Sequence, residues 1–437
     1  MIGPTNMPTQ HQRNMTQRTT WPLGYAVTLC VLMCLDLARP VAADQLVTDH
    51  GATPDDARPD TAAIQAAIDA AAESDDGVAT IPRGRFVSGG LKLRSNVTLN
   101  LAEGAVLQGS DNFRDYGNGR WTDALIKGEN LRKVRIQGQG TIDGVDCRNP
   151  KGEEGFRGPH GIFLIGCRDI VIRGVTLKRT GNYAVLCRNS REAVVRDVTI
   201  RGGHDGLHAQ ACRQFEVRDC DFRTGDDCYA GCDNVDFKIT DCQINSSCNA
   251  FRLGCVNLLV KDCRIWGPGE YQHRVSNRKN MLSAFVHFAP RDRQPKLPSD
   301  NWRIEDVTIE NVGFVYGYDY QRGLWQKGQP AKRLRFHRVK ATEVERPIRV
   351  LGDRERQFEL TLDHVSIALR DDRRDQPLLD LNQFGSLVLR DVTLKSSGAQ
   401  PVVRARDGNR VVIEEATVKP ANRAAYDLRQ IEKIERP

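Results

Sequence analysis

Apolar residues recur along this chain in short alternating runs that close on one kind of motif. RGVTL ends at Leu177, RDVTI at Ile200, RDCDF at Phe222, TDCQI at Ile244 and KDCRI at Ile265, in steps of 23, 22, 22 and 21 residues. EDVTI ends at Ile309, 44 residues on, which reads as two steps with an insertion. DHVSI to Ile367, RDVTL to Leu394 and EEATV to Val418 carry the pattern towards the C-terminus. Within a unit, alternation such as AVVRDVTI predicts strands buried on one face and broken by polar or glycine bends. Identical units of fixed length predict a coil stacked on itself rather than a meander of hairpins. The expected fold is therefore all-β, a single-stranded parallel β-helix whose like residues form ladders. Leucine-rich repeats share the length, but their leucine-asparagine consensus is absent.

Departures from the rhythm are informative. DTAAIQAAIDAAA, from Asp60 to Ala72, has apolar residues at helical spacing with Asp60 or Thr61 as N-cap. It predicts an N-terminal capping helix that hides the open edge of the first coil. The charged stretch from Ala421 is expected to close the other end. Residues 144–160, 266–302 and 311–332 interrupt the repeat and are expected to form loops on one face. Tyr316, Tyr318, Tyr320 and Trp325 lie in the third stretch, where they either stack on sugar rings or pack the loop onto the barrel.

Composition agrees with strands and turns: of 437 residues only 6% are aromatic, and 38 are glycine. At the N-terminus, Arg13 and Arg18 precede the apolar run PLGYAVTLCVLMCL, and Val41-Ala42-Ala43 offers a small-residue cleavage site. Residues 1–43 therefore read as a secretory signal and residues 44–437 as one domain, secreted or periplasmic. No later stretch reads as transmembrane, so no membrane contact is expected after cleavage. Removing the signal leaves eleven of the 13 cysteines. Cys220, Cys242 and Cys263 recur in RDC, TDC and KDC, which suits stacked small apolar residues, with one or two disulfides left open. None of the spacings is that of a compact zinc site.

The formal net charge is +7, to which the signal contributes three arginines against Asp36, leaving about +5. A mildly basic chain suits an anionic substrate. The basic residues are dispersed along the sequence, without interleaved RNA-reading aromatics, so nucleic acid is not expected as a partner.

The repeat also places the polar residues. Counting five positions beyond each motif gives Asn182, Asp205, Asp227 and Asn249, expected as one ladder, and counting four puts Asp226 beside His204. Leu207, Tyr229 and Phe251 should then point inward, with His208, Ala230 and Arg252 facing outward beside the ladder. Asp205, Asp226 and Asp227 would lie within one or two strand spacings of each other, and at least one should have a raised pKa. That division of protons is what glycoside hydrolysis requires of its carboxylates. Calcium binding is the rival use of the same residues, and Asx ladders that cap turns are the structural one. His204 and His208 form an HxxxH on a strand, which does not converge on one metal.

At these residues the sequence resembles the glycoside hydrolase family of polygalacturonases and rhamnogalacturonases, of the pectin-lyase-like superfamily. The resemblance extends to about Phe288. It rests on DTAAIQAAIDAAA, GVATIPRGRFVSG, LKLRSNVTLNLAEGAVLQGS and HGIFLIGCRDIVIRGVTL, and most specifically on HDG and GDDC. It implies a right-handed β-helix and a metal-independent, inverting hydrolase acting on a pectin-like or other acidic polysaccharide; no cofactor and a monomeric chain are expected. Asp226 would be the general acid, with Asp205 and Asp227 activating water. Cys248-Asn249-Ala250 stands where the family carries Gly-His-Gly, and the Arg-Ile-Lys signature that holds the substrate carboxylate has no clear counterpart. Arg252, Arg274, Arg278 and His287 are candidates to replace it. Substrate binding is thus assigned to His204, His208, Asn249, Arg252 and Arg278. A calcium-dependent polysaccharide lyase and a non-catalytic glycan-binding β-helix are the alternatives, with a carbohydrate epimerase behind them.

Overall fold

The computed structural model describes residues 44–74, 77–346, 348–373, 376–396, 401–419 and 425–436. The signal segment expected over 1–43 lies outside them. The chain winds into a parallel β-helix in which each coil contributes three strands. One coil runs Leu207–Gln210, Arg213–Arg218 and Asp221–Thr224, and each of these pairs in parallel with its counterparts one coil away. We call these the first, second and third strands of a coil.

Alternation decides which side chains are enclosed. Leu177, Ile200, Phe222, Ile244, Ile265 and Ile309 stack in register and are all buried. On the first strands, Val185, Leu207, Tyr229, Phe251 and Phe285 make a second inward row, with Tyr229, Phe251 and Phe285 stacked at centroid distances of 4.7 and 4.8 Å. Parallel pairing stacks identical environments, so an inward position on one coil is inward on the next. Gly231 turns the chain from a first to a second strand at φ +111, and a Cβ there would sit 1.8 Å from the Ala209 carbonyl oxygen. Glycine is required at that bend.

Helix Thr61–Ala71 lies over the first coil and buries Ile64, Ala67, Ile68 and Ala71. Asp60 occupies the N-cap position, but its side chain accepts from the Thr53 amide at 2.9 Å instead of capping the helix. At the other end the charged stretch forms a strand, Tyr426–Glu435, paired with the preceding coil. All eleven cysteines of the described residues are buried and unpaired, so neither of the disulfides left open forms.

Three expectations are corrected by the register. Ile265 pairs directly with Ile309, so the 44 residues between them are one long coil and not two. The stretch 266–302 is two loops separated by the first strand Ser283–His287, and 311–332 contains the first strand Phe314–Asp319. Tyr316 and Tyr318 consequently lie inside the barrel, 1% exposed, and Tyr316 stacks on Phe358; they are core residues rather than sugar platforms. Basic residues dispersed in sequence at the coil period are gathered in space, in rows on the second strands.

Long loops thus flank the first strands at both ends. Those before them include residues 144–159 and 267–282, and those after them 288–299 and 320–332. The loops before the first strands wall one open cavity over the turns that lead into them, and a second lies over the first strands Ser283–His287 and Phe314–Asp319.

Candidate active site

The turn from a third strand into a first strand carries the candidate residues. Backbone bonds from Ala184 to the Asp205 carbonyl, Gly206 to Asp227 and Cys228 to Asn249, at 2.8 to 3.0 Å, set the rows. One row is Tyr183, Asp205, Asp227 and Asn249; the row one residue earlier is Asn182, His204, Asp226 and Cys248. Asn182 is therefore not in the Asp205 ladder, as counting suggested. The coil length changes from 23 residues at Leu177–Ile200 to 22 at Val185–Leu207, and the missing residue falls in the turn.

Asp205, Asp226 and Asp227 are brought together, with one carboxylate oxygen of each within 4.8 Å of the others. Asp205 is 1% exposed; its Oδ2 is 2.8 Å from His208 Nδ1, and its Oδ1 is buried without a partner. Burial, aided by the charge of Asp226, pushes its pKa up to about 7. Asp227 is fully buried, accepts from Asn249 Nδ2 at 2.7 Å, and pairs with Arg252 Nε. Burial again dominates and lifts it to about 6, with Arg252 opposing and the other two aspartates assisting. Burial also works to raise Asp226. Here, however, the His273 contact at 3.6 Å and the charges of Arg157 and Arg252 win, holding the carboxyl well below the usual range.

The expectation of at least one raised pKa is met by Asp205 and Asp227. This arrangement places proton affinity on these two and keeps Asp226 ionised, the reverse of what a general acid at Asp226 needs. The three interact strongly enough to titrate as one unit.

Arg157 was missed in the sequence. It comes from the loop before the first strand His160–Ile165 and reaches along the earlier row, donating from Nη2 to Asp226 Oδ2 at 3.2 Å and from Nη1 to Asn182 Oδ1 at 3.2 Å. His204 Nδ1 lies 3.4 Å from the same Nη1, and Glu154 accepts from Arg157 Nε at 2.7 Å. His273 was missed too, and arrives from the loop 267–282. Interruption of the repeat was the available signal for both loops, but nothing in a non-repeating segment says which residue points inward.

The remaining sequence candidates divide. His208 stacks on Tyr183 at 4.5 Å with an interplanar angle of 2°, and Arg252 lies over the Phe288 ring at 4.3 Å. Burial holds His204 and His208 down to about 3, so both are neutral imidazoles. Asn249 accepts from Ser283 Oγ at 2.6 Å, which fixes its amide towards Asp227. Arg278 does not touch the carboxylates: it donates to the Ser247 carbonyl and to Cys248 Sγ, both at 3.1 Å. Arg274 pairs with Asp146 at 2.6 Å, and His287 is buried between Ser299 and the Gln329 carbonyl, 2.7 Å from each. Beside Asp226 an open cavity of ≈ 420 Å³ is lined by Arg148, Phe156, His204, Tyr271, His273 and Arg274 among others.

Comparison with known proteins sharpens this picture. Residues 46–252 match the family model described as rhamnogalacturonase A/epimerase, pectate lyase-like, a span that includes all three aspartates and ends at Arg252. A probable polygalacturonase of Vitis vinifera is 31% identical over 175 residues, 34% of this chain and 35% of that protein. An exo-poly-alpha-D-galacturonosidase of Dickeya chrysanthemi is 36% identical over 115 residues, 22% of this chain and 19% of its own length. The chain thus spans about a third and a fifth of these relatives. The crystal structure of a hyperthermoactive exopolygalacturonase from Thermotoga maritima superposes with a TM-score of 0.59 at 15% identity, covering 87% of this chain and 93% of that one. The fold is the right-handed parallel β-helix of those proteins, and residues 46–252 resemble the family described as rhamnogalacturonase A/epimerase, pectate lyase-like.

Proposed function

We propose that the protein is an exported glycoside hydrolase that cleaves an acidic, pectin-like polysaccharide, with Asp205, Asp226 and Asp227 as its catalytic groups. The observation that carries the proposal is the trio itself: three buried carboxylates on adjacent coils, in the turns that lead into the first strands, with proton affinities driven apart by named neighbours. Export follows from the signal-like residues 1–43.

Arg157 connects binding to protonation. A sugar carboxylate entering beside His204 competes with Asp226 for the guanidinium, because an arginine fork binds carboxylates in two-pronged fashion. Losing that partner raises the proton affinity of Asp226, and a proton held by Asp205 and Asp227 passes to it. Asp226 then protonates the glycosidic oxygen as the bond to the anomeric carbon breaks. Water attacks that carbon and gives its proton to the carboxylate left behind on Asp205 or Asp227. Inversion is taken from the family resemblance. The close approach of the carboxylates does not predict it, since the general rule associates inversion with separations of roughly 6.5–9.5 Å.

The lyase alternative asks the same oxygens to hold calcium. In this site Arg157 and Arg252 already bring positive charge to Asp226 and Asp227, a donor set that competes with a divalent cation. The deciding experiment is product analysis on polygalacturonate and rhamnogalacturonan with mature protein, wild type and Asp226→Asn, with and without chelator. Hydrolysis predicts saturated reducing ends that resist chelation and vanish in the variant. Unsaturated, chelator-sensitive products would replace it with a lyase, and no product on any acidic polysaccharide would leave a glycan-binding protein.

A further inference from the structure

The second strands carry charge for which the proposed reaction has no use. Gln137, Arg173, Arg196 and Arg218 are successive in-register partners, one per coil. The adjoining outward row holds Arg135, Val171, Val194 and then Glu216. Together with Lys133 these side chains line an open groove of ≈ 570 Å³, and no acidic residue lines it. Arg135 is held by Asp169 at 2.7 Å, and Arg218 by Asp219 at 2.7 Å and Glu216 at 3.5 Å. Arg173 and Arg196 make no side-chain hydrogen bond or ion pair among the described residues.

Like charges directly opposite each other on paired strands destabilise a sheet. Here three guanidiniums are stacked at the strand spacing of about 4.8 Å, with acidic compensation at only one of them. An extended polymer with an anion on each monomer would neutralise such a row along its length. Guanidinium groups match carboxylates in geometry, and Val171 and Val194 offer an apolar strip for the carbon face of a sugar. No aromatic side chain lines the groove, so it lacks the stacking platforms with which single-stranded nucleic acids are held.

We propose that this groove is a second binding site, on a different face from the three aspartates, for an extended polyanionic polysaccharide bearing carboxylates. The choice of a polyuronate rests on the substrate class proposed above. The site itself does not, because it requires no catalysis. It would hold polymer against the enzyme while the cleft works on a nearby segment.

Affinity electrophoresis tests this: migration of the full mature chain through gels with and without polygalacturonate, over a series of salt concentrations, for wild type, Asp226→Asn, Arg173→Ala/Arg196→Ala and Arg173→Lys/Arg196→Lys. Wild type and Asp226→Asn should both be retarded, with retardation fading as salt rises. The alanine pair should bind polygalacturonate at least about tenfold more weakly, the effect of losing one to two charge-assisted hydrogen bonds. It should melt at or above the wild-type temperature, since like-charge repulsion is relieved, and keep the wild-type rate on short oligogalacturonides, and the lysine pair should recover part of the binding. Retardation of the alanine pair equal to wild type would overturn the site. Tighter groove-dependent binding to anionic lipid vesicles or duplex DNA would overturn the polyuronate as its occupant. If wild type cleaves nothing and groove-dependent retardation persists, the hydrolase reading fails and the binding site stands.

Discussion

Arg157 and Asp226 stand 69 positions apart in the chain and meet at 3.2 Å, with side chains 7% and 11% exposed. The pair is closed by a loop that belongs to no repeat, over a residue that does. Removing one partner of a buried ion pair leaves the other uncompensated, so Arg157→Ala should cost about 3 kcal/mol of stability at pH 7. Without Arg157 the Asp226 carboxyl regains a higher pKa, and the cost should shrink as pH falls and the group protonates. Urea unfolding at pH 7 and pH 4 measures both; an equal loss at the two pH values would mean that Arg157 acts through packing alone.

Asp226→Asn should lower the rate on polygalacturonate by about 10²–10⁴, the usual scale for a lost proton-transfer group. It also removes a negative charge that raises both neighbours. Asp205 and Asp227 should therefore titrate lower in the variant, visible as a downward shift of their carboxyl resonances in a pH series. An unchanged titration would show that their raised pKa values come from burial only.

The residues concerned show how far the sequence could be read. Ile200, Phe222, Ile244 and Ile265 were legible as one buried row, because a parallel coil repeats its environment at a fixed step. His204 beside Asp226 was legible for the same reason. Asn182 was misplaced because a single residue is lost within a turn, where no apolar position marks the register. Arg157 and His273 lie where the period is broken, and Arg173 and Arg196 were read as dispersed because a coil separates them in sequence while one strand spacing separates them in space.

The pH dependence of stability follows from groups buried in one protonation state. Burial depresses His160, His204 and His208 to about 3 and His287 to about 4. A depressed pKa contributes stability that is fully present above the unfolded value of about 6.5 and is lost as pH falls towards the folded value. Asp205 and Asp227, raised to about 7 and about 6, act in the opposite sense over the same range. Four histidines outweigh two aspartates, so the melting temperature should fall steadily between about pH 6.5 and pH 4. A melting temperature that is flat or rises towards pH 4 in calorimetry would contradict the neutral buried histidines.

Phe251 is fully buried between Tyr229 and Phe285 in the inward stack. Phe251→Ala should destabilise the protein by about 3–5 kcal/mol through lost contacts and the cavity left behind. Phe251→Leu should cost less than half of that, as read from denaturant midpoints. Since Arg252 next to it holds Asp227, the alanine variant should also lose activity at temperatures well below its melting point.

Long loops enter and leave the first strands, whereas the second and third strands pass through the same stretch of barrel without lengthening. Those loops nevertheless reach the rungs: the Asn182 amide donates to the Pro159 carbonyl, the Leu282 amide to the Cys248 carbonyl, and Arg157 and His273 contact Asp226. The loops and the rungs are therefore only partly separable: pairing between coils spaces the three aspartates, while any change that displaces Arg157 or His273 alters the charge held on Asp226.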